Sequence, residues 1–405
     1  MAIEKAYIPY GGYWSTPFAK WQGSFANLHA MKFAAEIAKR ALDERNIPVG
    51  DFTSLYSGMT IPTKKGLYGS PWLAAMIGAE ELTGPMFAQA CATSARVIGS
   101  AAYEVEAGNG TQPNILCITA DRTSNGPHML YPNPGAPGGR GEAEDWVWDS
   151  FNKDPHAKGS MTQAAEKVAA KHGITTEQQH EVVLMRHAQY QQALENDSAF
   201  HKSYMVTPVE VNPSGRKVIA TVEGDEGVFP SSVEGLAKLK PVLPDGTVTF
   251  GGQTYPADGN AGMVVTTREK ANAYSQNKDI EIRLVAFAEG RAEKGYMPEA
   301  NTPAVRNVLQ AAGVALKDMK AVKTHNPFAV NDIYLSNELD IPLEGMNNYG
   351  SSLIWGHPQG PTGMRLIIEL IEELVLLDGG YGLFTGCAAG DTAAAVVLEV
   401  KAGKS

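Results

Sequence analysis

The sequence predicts an α/β protein made of two similar halves with a lobe inserted between them. Short apolar runs bounded by turn residues alternate with longer segments of helical period, and one early stretch repeats weakly in the last third of the chain. In chain order, Leu28, Met31, Ala35, Ile37 and Leu42 lie near one helical face that ends before Asn46 and Pro48. Val97, Ile98, Ala101 and Val105 mark a second helix, and Leu366, Ile367, Leu370, Ile371, Leu374 and Val375 a long third one. The runs 52–56, 86–90, 115–119, 282–287, 319–324, 381–385 and 393–400 read as buried strands. Strands alternating with helices of this length imply mainly parallel sheets.

The repeat aligns Ala41–Gly58 with Val308–His325 without gaps. Leu42 meets Leu309, Asp51 meets Asp318, and Ile47, Val49, Phe52 and Leu55 meet Val314, Leu316, Met319 and Val322. At nearly the same offset, Thr93-Ser94-Ala95-Arg96 and Thr362-Gly363-Met364-Arg365 each open a helix. Between these regions the pattern changes. A Gly/Pro-rich loop over Tyr131–Gly141 precedes two polar helices broken at Gly173, and the second opens with the capping box Thr175-x-x-Gln178. Pro208, Pro213, Pro230, Pro241 and Pro244 punctuate the rest. The expected division is therefore residues 1–121 with 246–270 as one half, 122–245 as an inserted loop domain, and 271–405 as the other half. Such a lobe on a rigid scaffold commonly covers a binding site.

Composition excludes several function classes. With 43% apolar and 19% charged residues, the 405-residue chain has the balance of a globular protein with a large core. Its net charge of −10 argues against non-specific nucleic-acid or anionic-membrane binding. No apolar run reaches the roughly 18 residues of a membrane span, and Met1–Tyr10 has no secretory pattern. Cys91, Cys117 and Cys387 are too few for a disulfide framework and predict reduced thiols in the cytoplasm.

Four turns carry groups able to do chemistry. Cys91, in Gln89-Ala90-Cys91-Ala92-Thr93-Ser94, falls between a predicted strand and a predicted helix, where free N–H groups and the helix dipole favour thiolate; a buried inert cysteine is the plainer alternative. His357 stands in Gly356-His357-Pro358-Gln359-Gly360, a rigid turn suited to a general base. Cys387, in Gly386-Cys387-Ala388-Ala389-Gly390-Asp391, suits a proton shuttle, though packing explains it as readily. His325-Asn326-Pro327-Phe328 offers a His and an Asn as donors to an oxyanion. All four are strand-to-helix turns, the positions where α/β scaffolds bind ligands. The histidines and cysteines show no metal-ligand spacing, so no metal is expected; Gly135–Gly141 lacks the context of a phosphate loop; and Cys117 reads as core.

These motifs, in this order and spacing, resemble the thiolase superfamily over nearly the whole chain. The likeness includes QACATS, WDSFNKDPHAKGSMTQAAEKVAAKHGITTEQQ, LAKLKPVLPDGTVT, GHPQGPTGMR and GCAAGDTAAAVVLE. It implies a five-layer α-β-α-β-α fold with a loop domain over the active site. It also implies that Cys91 is acylated, that His357 activates it, and that Cys387 moves a proton to or from the enolate carbon or the thiol of coenzyme A (CoA). His325 and His357 would serve one oxyanion hole, and the backbone N–H groups of Cys91 and Ala389 the other. CoA enters as substrate, with Thr254 and Arg216 expected to contact it and Lys217, Lys238 and Lys240 as further basic candidates. Three positions depart from the common pattern: His325-Asn326-Pro327-Phe328 stands where many thiolases have Asn-Glu-Ala-Phe, Ala389 replaces a glycine, and Gly251-Gly252-Gln253-Thr254 replaces a Gly-Asn-x-Ser-like turn. The leading His325 is similar to thiolases of the sterol-carrier-protein type and to archaeal acetoacetyl-CoA thiolases. Some of that variant work with a small OB-fold, zinc-ribbon subunit, and a degradative benzoylsuccinyl-CoA thiolase of aromatic catabolism is a candidate cousin. The expected assembly is a homodimer or tetramer. The alternatives are a ketosynthase-type condensing enzyme, against which the second thiol at Cys387 speaks, and a catalytically silent acyl-CoA or lipid-binding protein, which would need neither thiol nor His357. Trp146, Trp148, Tyr131, Met129 and Trp355 are candidates for an aromatic acyl pocket.

Overall fold

The computed structural model describes residues 2–108 and 112–403. Its main elements are α1 (Ala30–Glu44), β1 (Ser54–Gly58), α2 (Thr93–Ala107), β2 (Asn114–Arg122), α3 (Met161–His172), α4 (Thr176–Ala193), β3 (Ala257–Thr266), β4 (Ile280–Arg291), α5 (Asn301–Ala312), β5 (Met319–His325), α6 (Ala329–Leu339), α7 (Gln359–Leu376), β6 (Gly380–Ala388) and β7 (Thr392–Ala402).

The repeated stretches adopt the same local structure. In each, a helix (α1 or α5) leads through one 3₁₀ turn (Val49–Asp51 or Leu316–Asp318) into a strand (β1 or β5). Met31, Ala34, Ala38, Ala41 and Leu42 recur every three or four residues along α1 and are buried, so that face lies on the sheet. Helices α2 and α7 touch each other and the strands of both halves, whereas α1 packs outside β2 and β3 and α5 outside β4 and β7. The layers thus run helix, sheet, helix, sheet, helix. Helix α7 is buried from Gln359 to Leu374, as a central layer requires.

The sheets are mixed, which corrects the mainly parallel expectation. The strand path is β5-β6-β7-β4, the short strand Tyr7–Ile8, then β3-β2-β1 and the short strand Met86–Phe87. Only β5 with β6, β1 with β2, and β1 with Met86–Phe87 are parallel; the central pairings are antiparallel. The cause is local. The turn from β6 to β7 contains Gly390 and Asp391 with φ of 84° and 58°, a tight reversal that can only join antiparallel strands. Strand β3 escaped the sequence reading because its buried residues include Asp258 and Asn260, which no apolar pattern reveals. Asp258 Oδ1 accepts from the Ser124 N–H at 2.9 Å, and the backbone N–H of Asn260 donates to Thr16 Oγ1 at 3.1 Å. The expected strand at 86–90 shortens to Met86–Phe87, because Ala90 turns the chain with φ of 43°.

Within the lobe, Ser160 with Gln163 caps α3, and Thr175 with Gln178 caps α4; Gly173, at φ 63°, ends α3. Helix α4 touches α6 and the short helix Ser352–Trp355, both of which border the site described below. A buried charge network ties the lobe to α7. Arg365 makes two bonds to Asp225, at 2.7 and 2.8 Å, and a third to Glu369 at 2.9 Å, while Tyr204 donates to Glu369 at 2.6 Å. Burial pushes the Asp225 carboxyl up, but the Arg365 guanidinium outweighs it and holds the group below its ordinary value. Its stabilising share is therefore present above the unfolded value near pH 4 and fades as the pH falls further. Asp225→Ala leaves Arg365 buried without this counter-charge, and urea denaturation at pH 7 is expected to show a loss of about 3–5 kcal/mol.

Candidate active site

Cys91 sits between the strand Met86–Phe87 and α2, on a turn in which Ala90 is held in the left-handed region. For a residue with a Cβ this costs about 1–2 kcal/mol, and strain of this kind is typical of functional turns. Cys91 as a residue is partly exposed, while its sulfur faces the interior. The backbone N–H groups of Ala389 and of Cys91 itself approach it and favour thiolate, but burial outweighs them and pushes the thiol up to about 12. Burial thus opposes the thiolate that the helix start favours.

His357 precedes α7 and is locked from several sides. Its N–H donates to the Tyr255 carbonyl at 2.9 Å, Nδ1 meets Thr362 Oγ1 at 2.6 Å, and Nε2 stands 3.1 Å from Cys91 Sγ. Gly356 before it has φ of 90°, and a Cβ there would lie 2.7 Å from the Tyr255 ring, so only glycine fits. Burial, and then the neighbouring His325, hold the imidazole well below its ordinary value, which leaves it neutral and able to accept a proton.

His325 is the last residue of β5 and pairs in register with Gly386 of the parallel neighbour β6, one residue before Cys387. The two imidazoles lie with centroids 4.0 Å apart and planes tilted by 31°. Burial depresses His325 to about 3. Its Nδ1 meets Ser352 Oγ at 2.8 Å, whereas its buried Nε2 has no partner. Asn326 does not supply the expected oxyanion donor: its Nδ2 donates to Asp332 Oδ2 at 2.7 Å, and its Oδ1 accepts the Leu353 N–H at 3.2 Å.

Cys387 is buried near the end of β6. Burial, with the charge of Cys91 second, raises its thiol, and a bond from Asn331 opposes both. Asn331 Nδ2 lies 3.2 Å from the sulfur, and its Oδ1 accepts the Phe328 N–H at 3.3 Å, which fixes the amide's orientation. The geometry therefore gathers Cys91, His357, His325, Cys387 and the N–H of Ala389.

The other candidates are placed differently. The Thr254 N–H donates to the Pro327 carbonyl at 2.8 Å and its hydroxyl to the Ser352 carbonyl, so Thr254 braces the site with its hydroxyl already engaged. Arg216 lies on an exposed turn, and among the described residues its guanidinium has no hydrogen-bond or ion-pair partner. Lys217, Lys238 and Lys240 are exposed as well. The aromatic set disperses. Trp355 is core beneath the Arg365 guanidinium at 4.2 Å, while Trp148 is 67% and Tyr131 45% exposed.

Sequence reasoning missed Ser352, Thr362, Asn331 and Asp121, each a polar residue whose partner is distant in sequence or hidden in a helix. Asp121, at the end of β2, accepts from the N–H groups of Thr60, Ile61 and Gly360 at 2.8, 2.9 and 2.7 Å, and so anchors the start of α7. Burial raises its carboxyl to about 6 in spite of those donors.

Comparisons with known proteins agree along the length of the chain. The family models described as Thiolase, N-terminal domain and Thiolase, C-terminal domain match residues 13–269 and 279–400. A mitochondrial acetyl-CoA acetyltransferase of Gibberella zeae is 28% identical over 393 residues, covering 95% of this chain and 88% of its own. Human mitochondrial 3-ketoacyl-CoA thiolase is 32% identical over 258 residues, covering 63% of each chain. The crystal structure of human mitochondrial 3-ketoacyl-CoA thiolase in complex with CoA superposes with a TM-score of 0.88 at 24% identity, over 99% of this chain and 100% of that one.

Proposed function

The chain belongs to the thiolase family and is an acyl-CoA C-acyltransferase, and from that premise we propose how its own residues carry the reaction. The observation that bears most weight is the 3.1 Å approach of His357 Nε2 to Cys91 Sγ. His357 takes the Cys91 proton as the sulfur attacks the 3-oxo carbon of a 3-oxoacyl-CoA, so the thiolate forms only at the moment of attack. The N–H groups of Cys91 and Ala389 hold the oxyanion at that carbon. The C2–C3 bond then breaks, leaving an acyl group on Cys91 and an enolate whose thioester oxygen faces His325 and the protonated His357. Cys387 delivers its proton to the enolate carbon, and its thiolate, supported by the Asn331 amide, next takes the proton of incoming CoA. The CoA sulfur attacks the acyl thioester, and Cys91 leaves with the proton returned by His357. Every proton lent is returned, and the condensation runs the same path backwards.

Ser352 sets which tautomer His325 presents. Its Oγ receives the Asn326 N–H at 3.3 Å and can direct its own hydrogen to Asn326 Oδ1 at 3.2 Å or to His325 Nδ1 at 2.8 Å; the second arrangement is the one the reaction uses. Nε2 then carries hydrogen and becomes an oxyanion donor. Ser352→Ala is expected to lower kcat by about ten- to a hundredfold, with KM for the 3-oxoacyl-CoA little changed; in a His325→Ala background the same substitution is expected to add almost nothing.

The His325-Asn326-Pro327-Phe328 segment supports two finer expectations, an acyl group of the benzoylsuccinyl-CoA class and a zinc-ribbon partner subunit, and family membership supports a homodimer or tetramer. Three free cysteines support a reducing compartment such as the cytoplasm. Among the described residues, no helix is long and apolar enough to cross a membrane. The test is thiolysis of acetoacetyl-CoA and of bulkier 3-oxoacyl-CoAs with CoA, measured with and without the neighbouring small-subunit product. Cleavage of at least one substrate is expected; failure across the panel in both settings would reject the proposed chemistry.

A further inference from the structure

Cys91 Sγ and one ring nitrogen each of His325 and His357 lie within 4.8 Å of one another, a grouping of metal-ligating atoms drawn from three separate turns. No sequence spacing announces it, since the ligands stand far apart in the chain. Tetrahedral zinc takes thiolate at about 2.3 Å and imidazole at about 2.0–2.1 Å, which sets ligand atoms roughly 3.3–3.6 Å apart, so small side-chain movements close the site.

Two further observations point to a ligand. His325 Nε2 is buried without a partner, and each imidazole meets a hydroxyl at its other nitrogen: Ser352 for His325 at 2.8 Å, Thr362 for His357 at 2.6 Å. Hydroxyl or carbonyl partners at the remote nitrogen are what orient metal-bound histidines. The His325 tautomer with a free Nε2 lone pair is also provided for, because Ser352 can turn its hydrogen to Asn326 Oδ1, 3.2 Å away.

We propose that Cys91, His325 and His357 form an inhibitory site for one thiophilic divalent cation of the zinc class. Binding is simple substitution. The Cys91 S–H bond breaks, a sulfur–metal bond forms, one proton leaves to solvent, and no electron changes hands. The cation then occupies the sulfur lone pair and the base that acyl transfer needs, so metal and acyl group exclude each other. The inhibition rests on the acyl-transfer reading above; the binding does not.

The test titrates cobalt(II), as a spectroscopic probe, into the full chain after reduction and chelator treatment. One equivalent is expected to give a thiolate-to-cobalt charge-transfer absorption with tetrahedral visible bands, and zinc(II) is expected to bleach both. Cys91→Ala should abolish the charge transfer, His325→Ala should weaken cobalt binding by at least about tenfold, and Cys117→Ser should change nothing. In the unsubstituted chain, one equivalent of zinc should shield Cys91 from iodoacetamide, read by peptide mass spectrometry. Absence of a one-to-one end point, a full charge-transfer band in Cys91→Ala, or undiminished alkylation of Cys91 under zinc would overturn the proposal. These readouts need no turnover, so an enzyme inactive on every 3-oxoacyl-CoA would still decide it.

Discussion

Cys91→Ala will lower kcat for thiolysis by about 10⁴-fold or more, because no other group in the site can take its place as nucleophile. That factor is about 5.5 kcal/mol of barrier. Cys387, the second thiol of the site, is buried, and its sulfur is bonded by the Asn331 amide. The fold should be indifferent to the change, since Cys91 is partly exposed and alanine removes only the sulfur. Steady-state rates with saturating 3-oxoacyl-CoA and CoA, together with an unchanged melting temperature, check both halves of the expectation. Retention of more than a few per cent of the rate would remove covalent catalysis at this position.

Cys387→Ala will separate the two halves of the reaction. Acyl transfer from acetyl-CoA keeps its nucleophile, its base His357 and the N–H groups of Cys91 and Ala389, and loses only the proton that Cys387 gives the departing CoA sulfur, so an acyl-Cys91 species should still form, at a reduced rate. Overall turnover should fall by about 10²–10⁴-fold, the usual worth of a positioned acid–base group. A quenched-flow measurement that finds acyl-Cys91 still forming from acetyl-CoA and carbon–carbon cleavage of a 3-oxoacyl-CoA slowed by a larger factor would agree. Equal loss of both would assign Cys387 to the acylation step instead. Asn331→Leu should move the same step in the same direction by a smaller factor, because it removes the donor that stabilises the Cys387 thiolate while leaving the thiol in place.

The framework and the reacting groups were legible in the sequence for different reasons. Helix α7 advertised itself through unbroken apolar periodicity, and the repeated helix–turn–strand unit through Leu42, Asp51 and their counterparts Leu309 and Asp318. Cys91, His357, His325 and Cys387 stood out because small and turn-forming residues flank them and because the segments resemble a known family. What escaped shares one physical character. Ser352, Thr362, Asn331 and Asp121 act through hydrogen bonds between segments remote in sequence or across one helical turn, and such bonds leave no periodic trace. Strand β3 was hidden by the buried polar residues Asp258 and Asn260, which break any apolar pattern. The parallel expectation failed because the tight β6–β7 turn fixes direction more firmly than alternation of elements does. Burial also works against the thiolate that the helix-start donors favour at Cys91.

The central claim is that one sulfur carries the acyl group while the other handles protons. The most direct measurement is to incubate the unsubstituted protein with acetyl-CoA without an acceptor, quench in acid, digest, and locate the acetyl group by mass spectrometry. The account predicts one acetyl group on the peptide containing Cys91 and none on those containing Cys117 or Cys387. An acetyl group on Cys387, or no adduct on Cys91 in protein that turns over, would contradict it.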